Sequence, residues 1–130
     1  MNSIFGMKKW LKALGLILLV ICLGTIIDYI VHQADPRFSV PATYFSHKIF
    51  YGTLWAFVGY VIFKKHLHTP LQVALVISAT PAVLLQTMYF IQGHQLVWVV
   101  FFFLALHFLM FLLPGFYIAK KFSDVFIRER

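Results

Sequence analysis

Acidic residues, and charged residues in general, are scarce in this sequence. Of its 130 residues only 4 are Asp or Glu, against 11 Lys or Arg, and charged residues make up 12% of the chain. Soluble domains carry about a quarter charged residues. A small soluble domain also leaves much of its surface exposed, so a chain with this little polar surface does not fit a water-soluble fold. Lipid must be the solvent for most of it.

Cysteine is nearly absent as well, and this excludes several kinds of site. The single cysteine, Cys22, lies inside an apolar run, so the sequence has neither a disulfide framework nor a metal-binding CxxC pair. No serine or cysteine lies beside a histidine in an arrangement typical of hydrolases or acyl transferases. The sequence therefore favours a protein that is not an enzyme.

Apolar residues dominate instead, at 62% of the chain. A helix needs about 20 mostly apolar residues to cross the hydrocarbon core, and four stretches approach or exceed that length. None of them alternates as a membrane-spanning strand would. The sequence predicts one all-α integral membrane domain over residues 1–130, a four-helix bundle with helices at about 10–31, 47–65, 70–91 and 95–119. Two short loops predict that the helices run up-down-up-down.

The basic residues predict the orientation of these helices. Arg37 and Lys48 fall on one side of the predicted membrane, and the remaining basic residues fall on the other: Lys8, Lys9, Lys12, Lys64, Lys65, Lys120, Lys121, Arg128 and Arg130. Because cytoplasmic loops are enriched in Lys and Arg, both termini are predicted to be cytoplasmic. No signal-peptide cleavage site is evident, so the first helix is expected to be retained, with Met7 as an alternative start. A prokaryotic inner membrane fits the short loops and the charge asymmetry.

The same charge pattern indicates what the cytoplasmic surface contacts. The net charge is +7, but the basic residues form short clusters between apolar runs, without the stripe of interleaved exposed aromatics that nucleic-acid binding favours. Anionic lipid headgroups are therefore the expected partner. The residues predicted to contact them are Lys64, Lys65, His66 and His68.

Asp28 is the most informative residue within an apolar stretch. A carboxylate inside a transmembrane helix costs a few kcal/mol on insertion and is a functional candidate by default. His32 lies four residues later on the same helical face, and Thr25 lies one turn before Asp28. The alternative interpretation is that Asp28, about one turn from the helix end, reaches water or a neighbouring hydroxyl and only marks where the helix stops.

The predicted topology places further polar residues at the outer level of Asp28. Imidazoles and a carboxylate together suit a transition metal, and two histidines on different helices could hold a haem. The candidate ligands are Asp28, His32, His47 and His94, and the residues expected to support them are Thr25, Tyr51, Gln86 and Tyr89. Histidine, tyrosine and glutamine also tolerate the headgroup zone, so this grouping does not by itself require a metal.

His107 lies near the middle of the fourth predicted helix, where an imidazole needs a partner. Ser78 and Thr80 occupy the same depth on the third helix. The sequence therefore predicts a hydrogen bond between these two helices, separate from the outer group.

Three functional classes fit these features. The favoured class is a small structural or accessory subunit of a membrane complex, which needs no catalytic motif and could assemble with itself or with a partner subunit. The second is a membrane redox protein that binds a metal or haem at the outer Asp/His site. The third is a small transporter subunit in which Asp28 and His32 relay protons or bind a cation.

Overall fold

The computed structural model describes residues 2–36, 39–91 and 97–127 of the chain. Its long helices are α1 (Asn2–Ala34), α2 (Ala42–Phe63), α3 (Pro70–Ile91) and α4 (Val97–Lys121), and a short helix, α5 (Ser123–Phe126), follows them. Within these ranges no residue is in a strand, which confirms the all-α prediction. Basic residues and a histidine used in the predictions lie outside the described ranges: Arg37, His94, Arg128 and Arg130.

Three segments are long and apolar enough to cross a membrane, within the described part of the chain. They are Gly6–Ala34 in α1, Pro70–Met88 in α3 and Phe101–Lys121 in α4. The 22-residue helix α2 is not among them. Its first half contains His47 and Lys48, which lower its mean hydropathy.

Helix α2 begins at Ala42, earlier than the predicted start at about residue 47. Pro41 immediately precedes it in an extended conformation, with φ −62° and ψ 155°. Proline is well tolerated at the start of a helix, where its missing N–H would have no partner within the helix. The earlier start moves Lys48 into the second turn of α2, away from the helix end.

The long helices contact one another in a closed order, α1 with α2 and α4, and α3 with α2 and α4. Near the start of α1, Trp10 packs on Tyr60 of late α2, with ring centroids 5.9 Å apart. Near the end of α1, Tyr29 packs on Phe45 of early α2, at 5.3 Å. Helices α1 and α2 therefore run antiparallel. Apolar side chains from all four helices fill the interior, among them Ile17, Val20, Ile21, Ala56, Val73, Ile77 and Phe111.

Gly24 sets how closely α4 approaches α1. A Cβ atom at this position would overlap the ring of Phe111, so only glycine leaves room for that ring against the α1 backbone. One helical turn from this contact, in the same direction, lie Asp28 on α1 and His107 on α4. The glycine contact therefore brings these two polar side chains to the same level.

Candidate functional site

The centre of the candidate site is an ion pair between α1 and α2. Lys48 Nζ donates a hydrogen bond to Asp28 Oδ2, and both side chains are fully buried. Taking either charge alone out of water would cost several kcal/mol, so each is retained in the interior by the other. One carboxylate and one ammonium also leave the pair without net charge.

His107 of α4 joins this pair through a single ring nitrogen. Its Nε2 lies 2.6 Å from Lys48 Nζ and 3.3 Å from Asp28 Oδ1. When the ring proton is on Nδ1, Nε2 accepts from the lysine; when it is on Nε2, that nitrogen donates to the carboxylate. Nδ1 is buried and has no hydrogen-bond partner among the described residues. The position of one proton therefore decides whether His107 accepts a hydrogen bond from Lys48 or donates one to Asp28.

His32 completes the group at the end of α1. Its Nε2 lies 3.4 Å from Asp28 Oδ1, as the spacing of four residues along a helix predicts. The His32 ring stacks on Phe103 of α4, with centroids 5.8 Å apart and planes 11° from parallel. It also meets Tyr44 of α2 edge to face at 5.2 Å. We call Asp28, His32, Lys48 and His107 the charge cluster; three helices contribute to it.

Aromatic rings separate the charge cluster from the nearer end of the helices. Lys48 Nζ lies 4.5 Å from the centroid of the Tyr44 ring, a distance at which the ring face stabilises a cation. Tyr44 in turn packs edge to face on Phe45, at 5.2 Å. His32 is 7% exposed, whereas Asp28 and Lys48 are 0% exposed. His32 is therefore the member of the cluster closest to the surface.

Two predictions about this region are wrong. His107 is not a separate feature, because it contacts both Lys48 and Asp28. Its predicted partner Ser78 instead donates to backbone carbonyls of its own helix, those of Ala74 at 2.6 Å and Leu75 at 3.3 Å. Equal depth along α3 and α4 does not establish a contact between Ser78 and His107, because it does not determine which way each helix faces.

Lys48 is the residue that the sequence analysis missed as a site member. It was counted as an outer flanking charge, yet it is fully buried. A usable signal was present, because a lysine within an apolar stretch has the same insertion cost as Asp28 and the opposite charge.

The other predicted site residues are scattered. His47 is exposed, and its ring lies 6.3 Å from that of Tyr51. Thr25 is buried, but its Oγ1 donates to the Ile21 carbonyl oxygen at 2.7 Å within α1. Gln86 is buried in α3. The side chain of Tyr89 and all of His94 lie outside the described residues.

These positions bear on the metal and haem hypotheses. Within the described residues, no three His, Cys, Asp or Glu side chains are grouped so that they could hold a metal ion. Lys48 holds Asp28 Oδ2, and the ammonium beside the carboxylate opposes a second cation there. With His94 outside the described ranges, the set Asp28, His32, His47 and His94 stays a prediction.

The residues predicted to contact headgroups lie at the opposite end of α2. Lys64, Lys65 and His66 form a single 3₁₀ turn after the helix. Lys64 Nζ lies 4.0 Å from the centroid of the Trp10 ring. The side chains of Lys65, His66 and His68 are exposed.

No family model, no curated protein and no solved structure matches this chain.

Proposed function

We propose that this chain is a multi-pass membrane protein of four spanning helices, with both termini in the cytoplasm of a prokaryotic cell. Three apolar segments support the spans of α1, α3 and α4. For α2, the ion pair of Lys48 with Asp28 offsets the cost of placing a lysine at membrane depth. The distribution of Lys and Arg supports the orientation.

Within the membrane, the protein acts as a small proton transporter or transporter subunit that conducts protons down their gradient. The observation that carries this proposal is the buried contact of Asp28, Lys48 and His107, contributed by three different helices. Ionisable residues inside transmembrane helices are costly and commonly mark ion or proton pathways. Asp28, Lys48 and His107 give the proton three adjacent groups on which to reside.

The link between protonation and helix packing follows from the charge balance of the cluster. An aspartate, a lysine and a neutral histidine have no net charge together, which is the least costly state in an apolar interior. Uptake of one proton by the cluster leaves a net positive charge in an apolar interior, which is costly. Helix rearrangement that admits water relieves this cost, so protonation and helix packing are linked. His32, nearest the surface, is the entry point for the proton.

Purified protein in liposomes tests the proposal directly. An imposed pH gradient should dissipate faster with wild-type protein than with empty liposomes, as read by a trapped pH-sensitive dye. Asp28→Asn and His107→Gln should abolish the difference. Asp124→Asn, which removes the exposed carboxylate of α5, is the matched control and should transport like wild type.

A variant that folds but has no ionisable side chain at positions 28 and 48 distinguishes loss of proton transfer from loss of folding. The double variant Asp28→Asn with Lys48→Met has no buried charge to leave unpaired, so it should assemble and yet carry no flux. Flux equal to wild type in this double variant would remove the cluster from the mechanism.

A structural or accessory subunit is the second candidate. It is favoured by the mutual neutralisation and full burial of Asp28 and Lys48, which is also what a fixed link between helices requires. On this alternative, wild-type protein shows no proton flux in liposomes. Its partner would be a second copy or another membrane subunit, and cross-linking in native membranes would identify which.

A further inference from the structure

A cleft with basic walls opens at the end of the helices opposite to the charge cluster. Its volume is about 430 Å³, and its walls include Lys9 and Trp10 of α1, Lys64 and Lys65 after α2, and Val125 and Ile127 at the C-terminal end of the described chain. Three of these side chains are cationic, and none of the described residues that line the cleft is acidic. We call it the basic cleft.

The basic cleft has a fixed wall. Trp10 packs edge to face on Tyr60, with centroids 5.9 Å apart, and on Phe57 at 6.0 Å. Tyr60 Oη donates to the carbonyl oxygen of Phe126 at 2.9 Å, which ties α5 to the end of α2. Lys64 Nζ lies over the Trp10 ring. Lys64 is thereby positioned by a half-buried ring contact and the C-terminal segment by a buried hydrogen bond, so the cleft has a defined shape.

A second cleft adjoins the first and is apolar. Its volume is about 540 Å³, and its walls are formed by Gly6, Met7, Leu11 and Leu14 of α1 and Phe57 of α2. Trp10 lines both clefts and is their shared wall. We call the second cleft the apolar groove.

The two clefts are arranged as a lipid requires. Phe57 lies seven residues before Lys64, which is about 10 Å along a helix, and Leu14 lies five residues after Lys9. The groove therefore reaches from the level of the basic cleft toward the middle of α1 and α2, and its outer end is lined by Gly6 and Met7. A phospholipid presents an anionic phosphate next to its acyl chains. Free phosphate would bind in the basic cleft alone, so it would not account for the adjoining apolar groove.

From this arrangement we infer a discrete binding site for an anionic phospholipid, with its phosphate held by Lys9, Lys64 and Lys65 and one acyl chain along Trp10 and Phe57. The inference rests on the proposed membrane embedding, and it goes beyond general attraction of basic residues to headgroups because it names a pocket. Charge-assisted contacts from the three ammonium groups to phosphate provide the selectivity.

Fluorescence quenching at Trp10 tests the site. The other two tryptophans are replaced (Trp55→Phe, Trp98→Phe), and the protein is placed in phosphatidylcholine nanodiscs with a minor brominated component. That component is either phosphatidylglycerol or, in a parallel sample, phosphatidylcholine. Selective occupancy predicts stronger quenching by brominated phosphatidylglycerol.

Two triple variants with the same loss of charge separate a pocket from general attraction. Lys9→Gln, Lys64→Gln and Lys65→Gln together should weaken the phosphatidylglycerol effect at least about tenfold in apparent affinity, since loss of even one charge-assisted contact has about that effect. Lys8→Gln, Lys12→Gln and Lys120→Gln remove exposed lysines outside the cleft and should leave it nearly unchanged. Far-ultraviolet circular dichroism and gel filtration confirm that both variants fold.

Several outcomes would overturn the inference. Equal quenching by both brominated lipids denies selectivity, and equal loss in the two triple variants denies a discrete site. Relief of quenching by inorganic phosphate, but not by chloride at the same ionic strength, assigns the cleft to soluble phosphate. The double variant Asp28→Asn with Lys48→Met, which leaves no buried charge unpaired, should lose proton flux and keep the quenching, so the two proposals can fail separately.

Discussion

Replacing Lys48 by methionine should destabilise this protein far more than an ordinary substitution. Methionine approximates the volume of the lysine stem but removes the ammonium, leaving the Asp28 carboxylate buried without its ion partner. Breaking a buried pair by removing one member costs about 3–5 kcal/mol. At about 1.4 kcal/mol per tenfold, that is a change of at least a hundredfold in the ratio of folded to unfolded protein.

The partner substitution and the double variant complete a thermodynamic cycle. Asp28→Asn leaves the lysine charge buried, so its expected cost is of similar size. With both changes together no charge is unpaired, and neutral replacement of a buried ion pair is often tolerated or even stabilising. We therefore expect the double variant to be several kcal/mol more stable than the sum of the single changes.

Reversible unfolding in mixed micelles of mild detergent and dodecyl sulfate, followed by circular dichroism, measures all four proteins. Asp124→Asn and Lys120→Met are exposed controls and should lie within about 0.5 kcal/mol of wild type. Single effects that add to within about 0.5 kcal/mol in the double variant would refute the buried pair, because additivity is the behaviour of independent sites.

Two further predictions concern the packing and the chemistry of the same region. Gly24→Ala should destabilise the protein by about 1–3 kcal/mol, since the added methyl overlaps Phe111. Gly15→Ala is the control: no atom lies within 4 Å of a Cβ at this position, so the change should be neutral or slightly stabilising. Equal effects of the two changes in the micelle assay would contradict the close approach of α4 to α1. Because the described residues contain no group of three side chains that could hold a metal ion, zinc should bind no more tightly to wild-type protein than to Asp28→Asn in equilibrium dialysis. Stoichiometric zinc or a haem absorption band lost in that variant would revive the metal hypothesis.

Local features of the site were predictable because they depend on one helix only. Asp28 and His32 are four residues apart in an apolar helix, so helical geometry alone places them on one face, and the structure has them 3.4 Å apart. Asp28 was likewise identifiable as exceptional from its insertion cost alone. The metal ligands proposed beside Asp28 and His32 lie elsewhere along the chain; His47 is exposed and His94 lies outside the described residues, so that set stays a prediction.

The sequence by itself determined that the chain is helical and apolar, because composition and run length decide how much of it lipid can solvate. Only the tertiary structure decided which side chains meet Asp28. Lys48 is 20 residues away along the chain, and His107 is a further 59 residues from Lys48. Periodicity gives the faces of a helix but neither its rotation nor its level relative to its neighbours. Those depend on contacts between helices, such as that of Gly24 with Phe111.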